Sequence, residues 1–345
     1  MKLTILLLCL CIVPLKASAL EIEAPTISPE YRDQMPENTA SLQEGLADLV
    51  KKAVMAVRPD IREAARISGG IMAAVLLGSM VQTVSSSAQK TGETACIVVI
   101  AATMLTSANA MIHLAADTVG EMGNYGKLLL PVMTAALAVQ GGVTSSGAIY
   151  AGTAFFSALL QSAMDSFLVP GIWLFLALRC AGAVTGEDLL KRTGDLLKQF
   201  LSWCLKLLLT VFTTYLSLTH VISGTTDAAA LKAAKVSMSS FVPVVGGILS
   251  DASEAVLVSA GVLKNAAGLY GILAVLALFL QPFLRIGLHY LLLKITAALC
   301  SVYASTRVTG ILDSFSTAMG LLLGMTAAGC SMVLISTVCF MKGVS

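Results

Sequence analysis

Charge is scarce in this chain. Asp, Glu, Lys and Arg make up 12% of its 345 residues, about half the ~25% of a soluble domain. With 57% hydrophobic residues there is too little polar surface to face water, so a polytopic membrane protein is expected. The net charge of +2 comes without a basic cluster, which leaves nucleic acid no electrostatic footing. Histidine is rarer still: His113, His220 and His289 lie far apart. No Gly-x-x-x-x-Gly-Lys-Ser/Thr, His-Glu-x-x-His or Gly-x-Ser-x-Gly occurs. Without a catalytic set, the chain is expected to be neither an enzyme nor an ATPase, and to carry no cofactor or metal. The cysteines outside the leader (Cys96, Cys180, Cys204, Cys300, Cys330 and Cys339) never fall at metal-ligand spacing. They read as small hydrophobes.

What is present begins with a leader. Residues 1–19 read as a secretory signal peptide: Lys2, an apolar run over 3–13, and Ala17-Ser18-Ala19 as the small-residue cleavage site. Export of that leader places residue 20 on the far side of the membrane. Residues 20–66 form the one long polar stretch, an extracytoplasmic amphipathic segment. Pro25, Pro29 and Pro36 keep its first part extended. Ser41-Leu42-Gln43-Glu44 is a capping-box pattern. Leu42, Leu46, Leu49, Val50, Ala53, Val54 and Val57 then share one helical face. Pro59 is expected to end or kink that helix. The face either rests on the protein's own membrane domain or docks an extracytoplasmic partner.

Residues 67–345 read as the transmembrane domain. Ten apolar stretches follow one another: 67–84, 94–116, 128–143, 148–163, 169–184, 200–222, 240–249, 268–283, 286–304 and 318–340. Two are short, and each carries an apolar-Pro-Val motif, at Leu130-Pro131-Val132 and Val242-Pro243-Val244. Their coincidence suggests an internal duplication over about 94–198 and 199–310. An offset of 112 relates Pro131 to Pro243 and Leu137 to Leu249. After an insertion the offset becomes 120, relating Tyr150 to Tyr270, Gln161 to Gln281 and Cys180 to Cys300. The expected fold is all-α, a polytopic membrane helix bundle of about 8–10 spans, internally duplicated, with broken Pro-Val helices. The Lys and Arg distribution over ten spans agrees with an exported N-terminus, its bias modest but of the expected sign.

The stretch 241–268 holds two apolar pieces separated by Ser250, Asp251, Ser253 and Glu254. Each piece is about half the ~20 residues needed to cross a bilayer core. A helix broken here would line a binding site or pathway; the other reading is a short span followed by an interfacial connector. Candidate pathway or packing residues are Pro131, Gln161, Pro243, Asp251, Glu254, Gln281 and Lys294. The two amides serve as interhelical hydrogen-bonding groups or as substrate contacts. Asp165 and Arg285 occupy equivalent positions with opposite charge, either paired with each other or solvated in loops. Lys294, near the middle of its stretch, marks a polar pathway or a buried pair.

The block Phe241-Val242-Pro243-Val244-Val245-Gly246-Gly247, through Ser250-Asp251-Ala252 to Leu263-Lys264-Asn265-Ala266, resembles the stage III sporulation protein AE family. So do Leu130-Pro131-Val132 and Gly141-Gly142-Val143-Thr144, together with the leader and the short polar segment. The resemblance implies an integral membrane component of the channel or secretion-like complex joining mother cell and forespore, in the mother-cell membrane. It implies as partners the other stage III A proteins, including a cytoplasmic ATPase, and stage II protein Q across the intermembrane space. It carries no catalytic residue. The duplication and the broken Pro-Val segments would equally suit a stand-alone secondary transporter, and the weakest alternative is a scaffold with no pathway.

Overall fold

A computed structural model describes residues 34–36, 42–84, 89–241 and 246–342. The leader and Pro243 lie outside the described residues. Helix is the only regular structure among those described: α1 (Leu42–Val84), α2 (Gln89–Val139), α3 (Val143–Ala163), a π-helical turn (Met164–Leu168), α4 (Val169–Thr185), α5 (Asp188–Phe241), α6 (Gly246–Cys300) and α7 (Thr306–Lys342). Five segments are long and apolar enough to cross a membrane: Thr91–Val139, Val143–Thr185, Asp188–Thr219, Lys264–Cys300 and Thr306–Lys342. The protein is thus all-helical, with the span-capable helices of a multi-pass membrane protein.

The helices are longer than the apolar stretches suggest. α2 has 51 residues and α6 has 55, roughly 77 Å and 83 Å long against a hydrocarbon core of about 30 Å. Stretches expected as separate spans are fused: 94–116 with 128–139 in α2, 148–163 with 169–184 through the π turn, and 268–283 with 286–300 in α6. The residues expected to form loops are those that helices tolerate. Glu121, Lys127 and Arg285 are of types with good helix propensity, and nothing in a lone charge opens the backbone ladder.

Prolines do not interrupt these helices either. Pro59 lies inside α1 and Pro131 inside α2. Each removes one backbone donor, and both stand on exposed faces. The Ser250–Glu254 stretch, read from sequence as a break, runs inside continuous α6. Pro170 has a visible effect. It stands two residues after the end of the π turn Met164–Leu168, and it can neither donate to the Ser166 carbonyl nor pack its ring against it in α geometry. The helix widens at that point instead of ending.

α7 is the most buried of the spanning helices and packs against every helix from α2 to α6. Phe315, Leu322, Met325 and Phe340 sit at its fully buried face. One end of the bundle gathers the start of α2, the α4–α5 turn and the α6–α7 turn. There Ser305 Oγ donates to Glu93 Oε1, and Arg307 Nη1 lies 4.0 Å from Glu93 Oε2. Gly186, at φ 78°, caps α4 in the left-handed conformation and lets the chain reverse into α5. Thr153 on α3 and Ser336 on α7 share a buried hydroxyl hydrogen bond of 2.6 Å. Thr153→Val leaves Ser336 without that partner and is expected to cost about 1 kcal/mol, measured by thermal unfolding in detergent.

α1 lies along α6 and α2. Leu49, Ala53 and Val57 are buried, whereas Leu42, Leu46, Val50 and Val54 are exposed. The face expected from sequence is therefore split, with its inner edge resting on the protein's own helices. Leu49 packs with Leu273 and Ala277, and Lys52 Nζ donates to the Met35 carbonyl at 2.6 Å.

Candidate functional site

Halfway along the bundle, the fused helices bring their polar positions together. On α2 these are Gly120, Gly123, Asn124 and Lys127, spaced i, i+3, i+4 and i+7, so all four share one face. On α3 and the π turn they are Ser157, Gln161 and Asp165. With Gly329, Met332 and Val333 of α7 they enclose a cavity of about 530 Å³. Gln161 Nε2 donates to Asp165 Oδ2 at 3.3 Å, and Lys127 Nζ donates to Asn124 Oδ1 at 3.3 Å. Asp165 is exposed, and the π turn carries it outward.

Two glycines form part of the cavity's α2 wall. A β-carbon added at Gly120 or Gly123 meets nothing within 4 Å. Glycine in a helix interior costs about 1 kcal/mol relative to alanine. Gly123→Ala is therefore expected to stabilise the isolated protein by up to about 1 kcal/mol, read as a raised midpoint in detergent. Pro131 acts on the same wall from one turn away: it has no N–H to offer the Lys127 carbonyl.

A second, smaller cavity of about 130 Å³ lies between α1 and α6, lined by Lys52, Leu280 and Gln281 among others. Beside it Arg285 Nη2 meets Asp60 Oδ1 of α1 at 3.1 Å. Arg285 and Asp165 do not pair with each other: each has its own partner, on separate helices. Gln161 and Gln281 both line cavities. Lys294 pairs with Asp313 across α6 and α7, close to the Glu93 end. Asp251 and Glu254 ride on α6, with side chains outside the described residues. Sequence reasoning did not single out Asp60, Asn124, Lys127, Gly120 or Gly123. The i, i+3, i+4, i+7 spacing was the available signal for the last four. A further network joins Arg179 to Ser314 Oγ at 2.8 Å and to Asp195 Oδ1 at 3.1 Å.

Chemically, this arrangement can hold a polar headgroup or another helix. Residues 32–343 match the family described as Stage III sporulation protein AE. The chain belongs to that family. A family member from Bacillus subtilis (strain 168), Stage III sporulation protein AE, is 24% identical over 212 residues, covering 61% of this chain and 53% of the relative. The matched stretch thus spans about half the length of that relative. No solved structure matches. Membership joins the stage III sporulation group to an all-helical fold with five span-capable helices.

Proposed function

We propose that the protein is an integral membrane component of the channel or secretion-like complex that joins mother cell and forespore and is required for endospore formation. In this reading it resides in the mother-cell membrane with its N-terminal segment extracytoplasmic. It has no catalysis of its own and works with the other stage III A proteins, including a cytoplasmic ATPase, and with stage II protein Q across the intermembrane space. The observation that carries the reading is the family match over residues 32–343, in a chain with five span-capable helices. Deleting the gene in its sporulating host is expected to block late forespore gene expression while engulfment completes. Normal spores from the deletion strain overturn the proposal.

A stand-alone secondary transporter is the second reading, favoured by the polar cavity at Gln161 and Asp165. Purified protein in liposomes then moves a solute down an ion gradient without partners. Failure across a broad solute panel removes it.

A further inference from the structure

α3 and α6 present matching faces that meet different fates. Residues 120 positions apart line the two cavities: Leu160 and Gln161 in one, Leu280 and Gln281 in the other. One turn on stand Asp165 and Arg285. Over α6 this face is covered by α1, which brings Asp60 to Arg285 at 3.1 Å and leaves only about 130 Å³ open. Over α3 a cavity of about 530 Å³ remains, walled by two glycines whose missing side chains would touch nothing. Small residues on apolar helices let another helix approach closely. The one in-chain precedent for filling such a face is therefore a helix with a charge opposite to the face's own.

The chain itself carries a helix that fits. α5 is the least buried of the five span-capable segments. Phe200, Trp203, Leu207 and Val211 form an exposed stripe along it, with i, i+3, i+7 and i+11 spacing. Lys206 stands exposed at the edge of this stripe, in the middle of the segment Asp188–Thr219, with no hydrogen-bond or ion-pair partner among the described residues. A lysine inside the apolar stretch 200–222 is costly without a partner. Its depth matches that of Asp165. α4 and α5 form a hairpin closed by the turn between Thr185 and Asp188. Asp165 lies 20 residues before that turn and Lys206 lies 18 residues after it, roughly 30 Å and 27 Å along their helices. Copies inserted with one orientation and related by rotation about the membrane normal keep every residue at its own depth. Equal depth is therefore the condition for one copy's Lys206 to reach another's Asp165.

We propose that the protein self-associates head to tail in the membrane, with the α5 stripe of one copy seated in the Gly120–Gly123 groove of the next and Lys206 paired with Asp165. Groove and stripe are different surfaces, so the contact is heterologous and builds a ring or an open chain instead of a two-fold dimer. The arrangement is independent of the physiological role proposed above.

The test uses the purified full chain in lipid nanodiscs and native membranes. Native mass measurement is expected to show oligomers. Lys206→Leu, which makes α5 more apolar and eases insertion, is expected to weaken association about tenfold or more. Asp165→Lys does the same, and Asp165→Lys combined with Lys206→Asp restores assembly. In a background lacking native cysteines, Gly123→Cys and Leu207→Cys chains crosslink when mixed, and neither crosslinks alone. A monomer at all protein concentrations overturns the proposal. So does an oligomer indifferent to Lys206→Leu, self-crosslinking at position 123, or a photoprobe at position 123 that captures only lipid or another protein.

Discussion

Arg285→Ala loosens α1 from the bundle. The substitution leaves the Asp60 carboxylate, 15% exposed, without the guanidinium 3.1 Å away. Removing one member of a fully buried ion pair costs about 3–5 kcal/mol. Arg285 is 39% exposed, and its share is screened, so about 2 kcal/mol is expected here. That is a roughly 30-fold change in the ratio of docked to released α1. The apolar anchors beside it are small: Pro59 weakens the neighbouring backbone, Val57 and Ala64 are buried about one turn to either side, and Leu49 against Leu273 and Ala277 lies about three turns away. Hydrogen exchange over residues 42–66 is expected to accelerate while α7 stays protected. Arg285→Lys recovers only part of the loss, because an ammonium cannot reproduce the guanidinium fork. Exchanging the pair, Asp60→Arg with Arg285→Asp, restores protection. Unchanged exchange in Arg285→Ala shows that α1 is held by apolar contact alone.

Gly152→Ala separates α3 from α5. A β-carbon at Gly152 falls 1.9 Å from Tyr215 Cε1, which no small adjustment relieves. Tyr215 is not free to swing. Its hydroxyl donates to the Ala148 carbonyl at 3.0 Å, and its ring lies 5.8 Å from that of Phe156, which packs edge-on against Phe212 at 5.5 Å. The tyrosine must leave its seat, breaking the hydrogen bond and the aromatic contacts together. Overpacking of this kind costs about 1–3 kcal/mol, and the upper end is expected because a hydrogen bond is lost as well. A shortened lifetime in detergent, with α5 the first helix to become protease-sensitive, is the measurement. Tyr215→Ala in the same chain makes room for the new methyl, so the double variant is more stable than the sum of the two single effects. Additive losses remove this account of the α3–α5 contact.

The two predictions show how unevenly the site was written in the sequence. Gln161 and Gln281 were recognisable as polar groups in apolar helices at matching positions, and both line cavities. Asp165 and Arg285 were recognisable as an opposed pair, but their partners are Gln161, four residues away, and Asp60, 225 positions away. No local pattern announces the second. Asp251 and Glu254 drew attention because four polar residues interrupt an apolar run, yet Ser, Asp and Glu are compatible with helix, and α6 continues through them. The polar interruptions expected to end spans at Asp117–Lys127 and Asp165 mark instead where long helices meet at mid-height. Lys294, weighed as a pathway group, is tied to Asp313.

By itself the sequence determined that this chain is helical and membrane-bound. Its apolar runs leave no water to satisfy the backbone, so each segment must bond internally. The sequence also determined where small and polar residues stripe those helices. Only the tertiary structure decided which stripes meet: Asp60 with Arg285, Gly152 under Tyr215, and an unfilled groove beside Asp165. The physical reason is that lipid is as apolar as leucine, so burial cannot rank one helix face above another. That choice falls to close packing at glycine and to a few hydrogen bonds and ion pairs, whose members lie far apart along the chain.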